Sequence, residues 1–108
     1  MTKNKCDKQL QVYIKKNNKT CLLCSNKCQV GHHYFLTKNS SFLRYYLPNI
    51  IPLCNKHHFI LHRRQDVSII VGILKVMGMG WFIDLESKKK LPIKTNKKYY
   101  KEVYEKLS

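Results

Sequence analysis

The chain is 108 residues long, enough for one domain with a modest core that a structural metal would reinforce. It carries 21 Lys and Arg against 6 Asp and Glu, a formal charge of +15, which favours a polyanionic partner, nucleic acid first. No carboxylate lies between Asp7 and Asp66. This excludes, for that stretch, a magnesium site built from clustered Asp and Glu, and any metal site there must use Cys and His.

The segment from Cys6 to Asn17 places Leu10, Tyr13 and Ile14 at helical spacing with lysines opposite, which predicts an amphipathic helix over 6–17. "TCLLCSNKC" is a compact cysteine turn, and "QVGHHYFLT" is rich in strand formers before the polar run "KNSS". "FLRYYLPNIIPL" contains two prolines, which predict extended or irregular chain leading to Cys54. From "CNKHHFILHRRQ" the pattern turns helical, with Asn55 as the expected N-cap and His58 and His62 four apart on one face.

Asp66 or Ser68 is the expected cap of a further helix, apolar nearly all round, which is therefore either buried or part of a subunit interface. The whole apolar run 67–83 is interrupted by Lys75 and three glycines and falls short of the about 20 apolar residues of a membrane span, so it reads as core. "SKKKLPIKTNKK" reads as a basic linker, and "YYKEVYEKLS" as a terminal helix with Tyr100, Val103, Tyr104 and Leu107 on one side. Five cysteines are an odd count, and no apolar signal-type run follows "MTKNK". A cytoplasmic thiol protein is the expectation rather than a secreted disulfide one.

Cys21 and Cys24 form a CxxC, and Cys54 and His57 form a CxxH thirty residues on. Together they make a Cys3His set suited to tetrahedral zinc, one pair from a tight turn and one from the start of a helix. Cys28 lies within reach of the same turn as Cys24 and competes with His57 for the fourth place; a buried pair of small thiols is the simpler reading of the CxxC alone. His32, His58 and His62 can form a facial three-nitrogen site with open positions, while each histidine singly reads as a polar residue of a basic surface. Adjacent residues of an extended segment point in opposite directions. His32 can therefore face an ion while His33 faces water.

These residues carry a resemblance. "GHHY", Asn49 sixteen residues after His33, then His58 and His62, resemble the HNH motif of the ββα-metal, or His-Me finger, endonucleases. "CLLC" and "NIIPLCNKHH" resemble the zinc-stapled members, with CxxH here where the usual second pair is CxxC. A narrower likeness of "GHHYFLTKNSSFLRYYLPNIIPLC" and the downstream "WFIDLE" is to phage recombination nucleases of the lambdoid NinG type.

The resemblance implies a small α+β fold, a zinc-stabilised ββα-metal finger flanked by helices. It implies a single nuclease domain over 1–108, with a finger core at 20–64 and a helical extension at 66–108. It implies a phosphodiester hydrolase acting on DNA, phage or mobile-element derived, with branched or recombination DNA as candidate substrate and a bacterial host cytoplasm as its place if phage-encoded. His33 would be the general base and Asn49 would hold the loop and the imidazole. His32, His58 and His62 would bind one catalytic divalent ion (Mg2+, Mn2+, Ni2+ or Zn2+), and Cys21, Cys24, Cys54 and His57 the structural zinc. Arg44, Arg63 and Arg64 are the candidate phosphate contacts, since guanidinium forks suit phosphate oxygens; a solvated basic surface is the alternative. A homodimer through helix 67–77 is a further expectation. The rival readings are a zinc-dependent nucleic-acid-binding module without turnover and a structural partner in a larger complex.

Overall fold

A computed structural model describes residues 1–63 and 66–108. Among them are five α-helices and one two-stranded sheet, a small α+β arrangement. Helix α1 (Lys3–Asn17) starts three residues earlier than its apolar stripe predicts, because Thr2 caps it by accepting the Lys5 N–H. Lys15 and Lys16 in its last turn suit the negative end of the helix dipole. Its stripe of Cys6, Leu10 and Ile14 is buried.

Strands β1 (Val30–His33) and β2 (Ile50–Leu53) pair antiparallel, with Gly31 opposite Pro52, His32 opposite Ile51 and His33 opposite Ile50. Residues paired across an antiparallel ladder share a face. Val30, His32, Ile51 and Leu53 therefore look one way, towards a core containing Cys21, Cys54, Ile69 and Ile73. Ile50 looks the other way, into a second core with Leu10, Ile14, Cys28 and Leu107. The connection between the strands is irregular, as its prolines predict, and runs through three 3-10 turns at Thr37–Asn39, Phe42–Arg44 and Leu47–Asn49.

Helix α2 (Asn55–Arg63) follows β2 directly. Its cap is Cys54 rather than the expected Asn55: the Cys54 carbonyl accepts the His58 N–H at 3.0 Å and its Sγ accepts the His57 N–H at 3.5 Å. Asp66 caps α3 (Val67–Met77) through the Ser68 N–H. Gly78 then takes φ +91, which L side chains rarely adopt, and the apolar run breaks there into α3 and α4 (Met79–Lys88), bent by 105°. Among the described residues no single helix is long and apolar enough to cross a membrane. Ile69, Ile73 and Leu85 are buried, but the valines Val67, Val71 and Val76 of α3 are exposed.

Helix α4 takes in the first residues of the expected basic linker, and α5 (Lys97–Leu107) begins where Asn96 accepts the Tyr99 N–H. It returns to α1, where Leu107 joins Leu10 and Ile14, the Cys6 thiol donates to the Tyr100 carbonyl at 3.2 Å, and Gln9 donates to the Leu107 carbonyl at 2.9 Å. The hairpin is thus clasped between α1 and α5 on one side and α2 and α3 on the other.

Gly31 is the closest point of that clasp. A Cβ there would meet Ile50 Cγ2 at 2.8 Å and Ile14 Cγ1 at 3.1 Å, both on buried β-branched side chains. Gly31→Ala is expected to cost about 1–3 kcal/mol by overpacking in urea melts, with the secondary structure retained. An unchanged midpoint would contradict this packing.

Candidate metal centres

The hairpin and α2 bring four ligand atoms together from two sequence-distant turns. Cys21 Sγ lies 3.5 Å and Cys54 Sγ 3.4 Å from His57 Nδ1, and Cys24 Sγ lies 3.8 Å from Cys54 Sγ. A tetrahedral zinc with Zn–S about 2.3 Å and Zn–N about 2.0–2.1 Å requires S···S edges of about 3.8 Å and S···N edges of about 3.5 Å. The observed separations are those edges. All four atoms lie within 4.8 Å of one another, close enough to hold one metal ion and compatible with structural zinc. Burial raises the Cys54 thiol pKa, but the His57 N–H and neighbouring donors outweigh it and lower the value, favouring the thiolate. Cys28, the competitor for His57, instead sits 2% exposed in the α1–α5 core, with Sγ on the Val30 carbonyl.

On the same helix, one residue beyond His57, a second group begins. His58 and His62 stand on one face of α2 with ring centroids 4.3 Å apart, and His32 of β1 lies 5.6 and 5.2 Å from them. Their ligand nitrogens also fall within 4.8 Å of one another. Burial first, then the neighbouring imidazoles, pushes His32 down to about 4, and burial and His62 lower His58. At neutral pH both are therefore uncharged, the form that donates a lone pair to a metal. Unlike the Cys3His group, this one opens on a cleft of about 340 Å³ that His33, Gln11 and Thr37 also line.

His33 is held from behind. Its Nε2 lies 2.9 Å from the Arg44 carbonyl. A carbonyl can only accept, so Nε2 carries the proton and Nδ1 of the neutral ring is left as the proton acceptor. Burial lowers the His33 pKa while this hydrogen bond raises it, and the net shift is downward. Asn49, wholly buried, accepts the Phe35 N–H at 2.9 Å and donates to the Phe35 and Leu43 carbonyls, both at 3.2 Å. It closes the loop around the residue next to Arg44, and the imidazole contact itself is made by the Arg44 backbone.

The three arginines fare differently. Arg44, expected to contact phosphate, has its guanidinium forked onto Asp7 at 3.0 and 2.7 Å and donates to Thr37 Oγ1 at 3.1 Å. Arg63 is exposed, 6.0 Å from the centroid of the exposed Phe59 ring. Arg64 lies outside the described residues.

Sequence reading missed the supports. Asp7 also accepts from the Tyr45 hydroxyl at 2.7 Å, and Gln11 exchanges two hydrogen bonds with Gly31, donating at 2.9 Å and accepting at 2.8 Å. Asp7, Gln11 and Ile14 fall at i, i+4 and i+7, so the helical pattern already put two polar side chains on the packing face of α1. From α4, Trp81 donates to the Pro48 carbonyl at 2.7 Å, and Tyr46 donates to Asp84 at 2.9 Å. No family model matches this chain, and no curated protein and no solved structure is significantly similar to it.

Two outcomes test this geometry. Elemental analysis should find one tightly held zinc per chain, and Cys24→Ser should lose it and unfold or aggregate, because ligand binding is part of the folding free energy; a well-folded zinc-free variant would contradict the staple. The second concerns pH. Burial raises the Asp7 pKa, but Arg44 and Tyr45 lower it further, so the net shift is downward. The ionised pair therefore adds stability above about pH 4, roughly 1 kcal/mol given the solvent that reaches both side chains. That contribution is lost as pH falls below the ordinary carboxylate range and through the lowered folded-state pKa. Asp7→Asn should be less stable than wild type at pH 7, with a gap that narrows progressively as pH is lowered below about 4 in urea melts; a gap that does not narrow would contradict the pairing.

Proposed function

We propose that the chain is a metal-dependent DNA endonuclease of HNH type, with β1, β2 and α2 forming a ββα-metal finger. The observation that carries the reading is the cleft in which three imidazoles converge beside a fourth whose free nitrogen is set by the Arg44 carbonyl. A binding module has no need of such an arrangement, whereas phosphodiester hydrolysis needs each part of it.

In this reading the donor sets fit two different tasks. Cys21, Cys24, Cys54 and His57 would hold a closed structural zinc. His32, His58 and His62, three imidazole nitrogens on an open face, would hold a divalent ion; an all-imidazole set suits zinc, nickel or manganese more than magnesium. Such an ion supplies Lewis-acid stabilisation of charge on the scissile phosphate and the departing 3′-oxygen. The protein's own part is proton transfer and orientation. His33 Nδ1 takes a proton from the attacking water, and the Arg44 carbonyl keeps the ring in the tautomer that can accept it. The positive charge then on His33 is stabilised by that carbonyl, and the Asp7 carboxylate partly offsets the opposing charge of the Arg44 guanidinium. Water attacks phosphorus, the P–O3′ bond breaks, the departing 3′-oxygen takes a proton from solvent, His33 returns its proton to solvent, and the products carry 5′-phosphate and 3′-hydroxyl ends.

The net charge of +15 supports a polyanionic substrate. Phe59 and Arg63, exposed on the same helix as His58 and His62, would offer an aromatic ring and a cation to such a substrate.

Supercoiled plasmid and synthetic branched DNA should be cut by wild type with at least one of Mg2+, Mn2+, Ni2+ or Zn2+. His33→Ala should fold, keep its zinc and bind DNA, yet lose about 10²- to 10⁴-fold in rate. His62→Ala should weaken binding of the second ion and regain part of its rate with added metal. Wild type inert on every substrate with every ion, binding DNA no differently from His33→Ala, would overturn the reading in favour of a zinc-dependent binding module.

A further inference from the structure

Beside the histidine cleft lies a second, polar cavity of about 330 Å³, lined among others by Lys3 of α1, Thr37, Lys38, Ser41 and Arg44 of the loop, and Thr95 before α5. We propose that it binds a backbone phosphate of the DNA strand being cut, one flanking the scissile phosphate. The inference rests on the nuclease reading and adds to it where the strand runs.

Three features argue for an anion. Arg44 is neutralised by Asp7, so the uncompensated charge comes from Lys3 and Lys38, both exposed. No carboxylate is among the lining residues. The hydroxyls of Thr37, Ser41 and Thr95 supply donors, and Thr37 Oγ1 already accepts from Arg44, which leaves its own proton for a ligand oxygen. The space admits a phosphate group together with several waters at about 30 Å³ each.

Two further features argue for a strand rather than a free anion. Thr37 lines both this cavity and the histidine cleft. Arg44 presents its side chain to the cavity while its carbonyl holds His33. A phosphate in the cleft therefore has the cavity as its neighbour across one residue, and a polyanion entering one is drawn to the other. This also gives Arg44 a use that its internal ion pair leaves open, as a fixed wall between two phosphates rather than a clamp on one.

Binding can be read without turnover. Amide chemical shifts are followed while inorganic phosphate, and separately a short single-stranded oligonucleotide, is added to the zinc-loaded chain. Phosphate should move the signals of residues 37–41 and of Thr95 in a saturable way. Lys3→Gln with Lys38→Gln should weaken that binding roughly five- to tenfold, as expected for two lost phosphate contacts. Lys15→Gln with Lys16→Gln, which removes the same charge at the other end of the 15-residue α1, should leave it within about twofold. The oligonucleotide should bind more tightly than phosphate and move His32 and His58 signals as well.

Equal weakening by both double variants, or shifts scattered over lysines everywhere, would overturn the site. Phosphate binding as tight as the oligonucleotide would overturn its assignment to a DNA strand. If wild type cuts DNA yet phosphate moves none of these signals, the inference fails and the nuclease reading stands. If the signals move as expected but no DNA is cut, the phosphate site stands while the nuclease reading fails.

Discussion

Two short turns, Cys21 to Cys24 and Cys54 to His57, must meet at one point, and the rest of the functional region follows from that meeting. Cys54 follows β2, caps α2 with its carbonyl and Sγ, and offers the same sulfur to the Cys3His group. Fixing it fixes both where α2 begins and how it is rotated. His57 then points to the closed group, and His58, about 100° further round the helix, points to the open one. His62 falls one turn along from His58. The closed site thus sets the phase of the open one, which explains why a chain of this size devotes four side chains to a staple beside its cleft.

The strand opposite obeys a second constraint, the period of two. His32 shares the face of Ile51 and turns to α2, while His33 shares the face of Ile50 and turns to the loop. The pair reaches one cleft from two sides. What makes His33 chemically distinct is not its place in the motif but a backbone carbonyl eleven residues away. That carbonyl is itself held: Asn49 grips the Leu43 carbonyl beside it, and Asp7 grips the Arg44 side chain from α1. Removing Asp7 would therefore act on His33 in two ways, through the Arg44 side chain it holds and through the loss of its own charge nearby.

Much of this was legible in the sequence because metal ligation depends on residue type and spacing. The CxxC and CxxH pairs, and His58 and His62 at i and i+4, describe local geometry, and the structure brings each set together. Less legible were contacts between side chains and distant backbone. The tautomer of His33 depends on a carbonyl, which no residue type reveals. Arg44 reads as a surface cation because its partner Asp7 lies 37 positions away. Cys28 reads as a spare ligand because the core that buries it is completed by Leu107 from the far end of the chain. The break at Gly78 was visible as a glycine, but the direction of the turn depends on its positive φ. The exposed valines of α3 were hidden by a pattern that is apolar on all sides.

The central claim is that one hairpin and one helix carry two metal sites of opposite character, one closed by sulfur and one open through nitrogen. Anomalous diffraction from crystals of the zinc-loaded protein soaked with manganese tests it most directly. The account predicts a zinc-edge peak enclosed by Cys21, Cys24, Cys54 and His57, and a separate manganese peak contacting His32, His58 and His62. A zinc peak alone, with the three histidines empty after soaking with manganese and then with nickel, would contradict it.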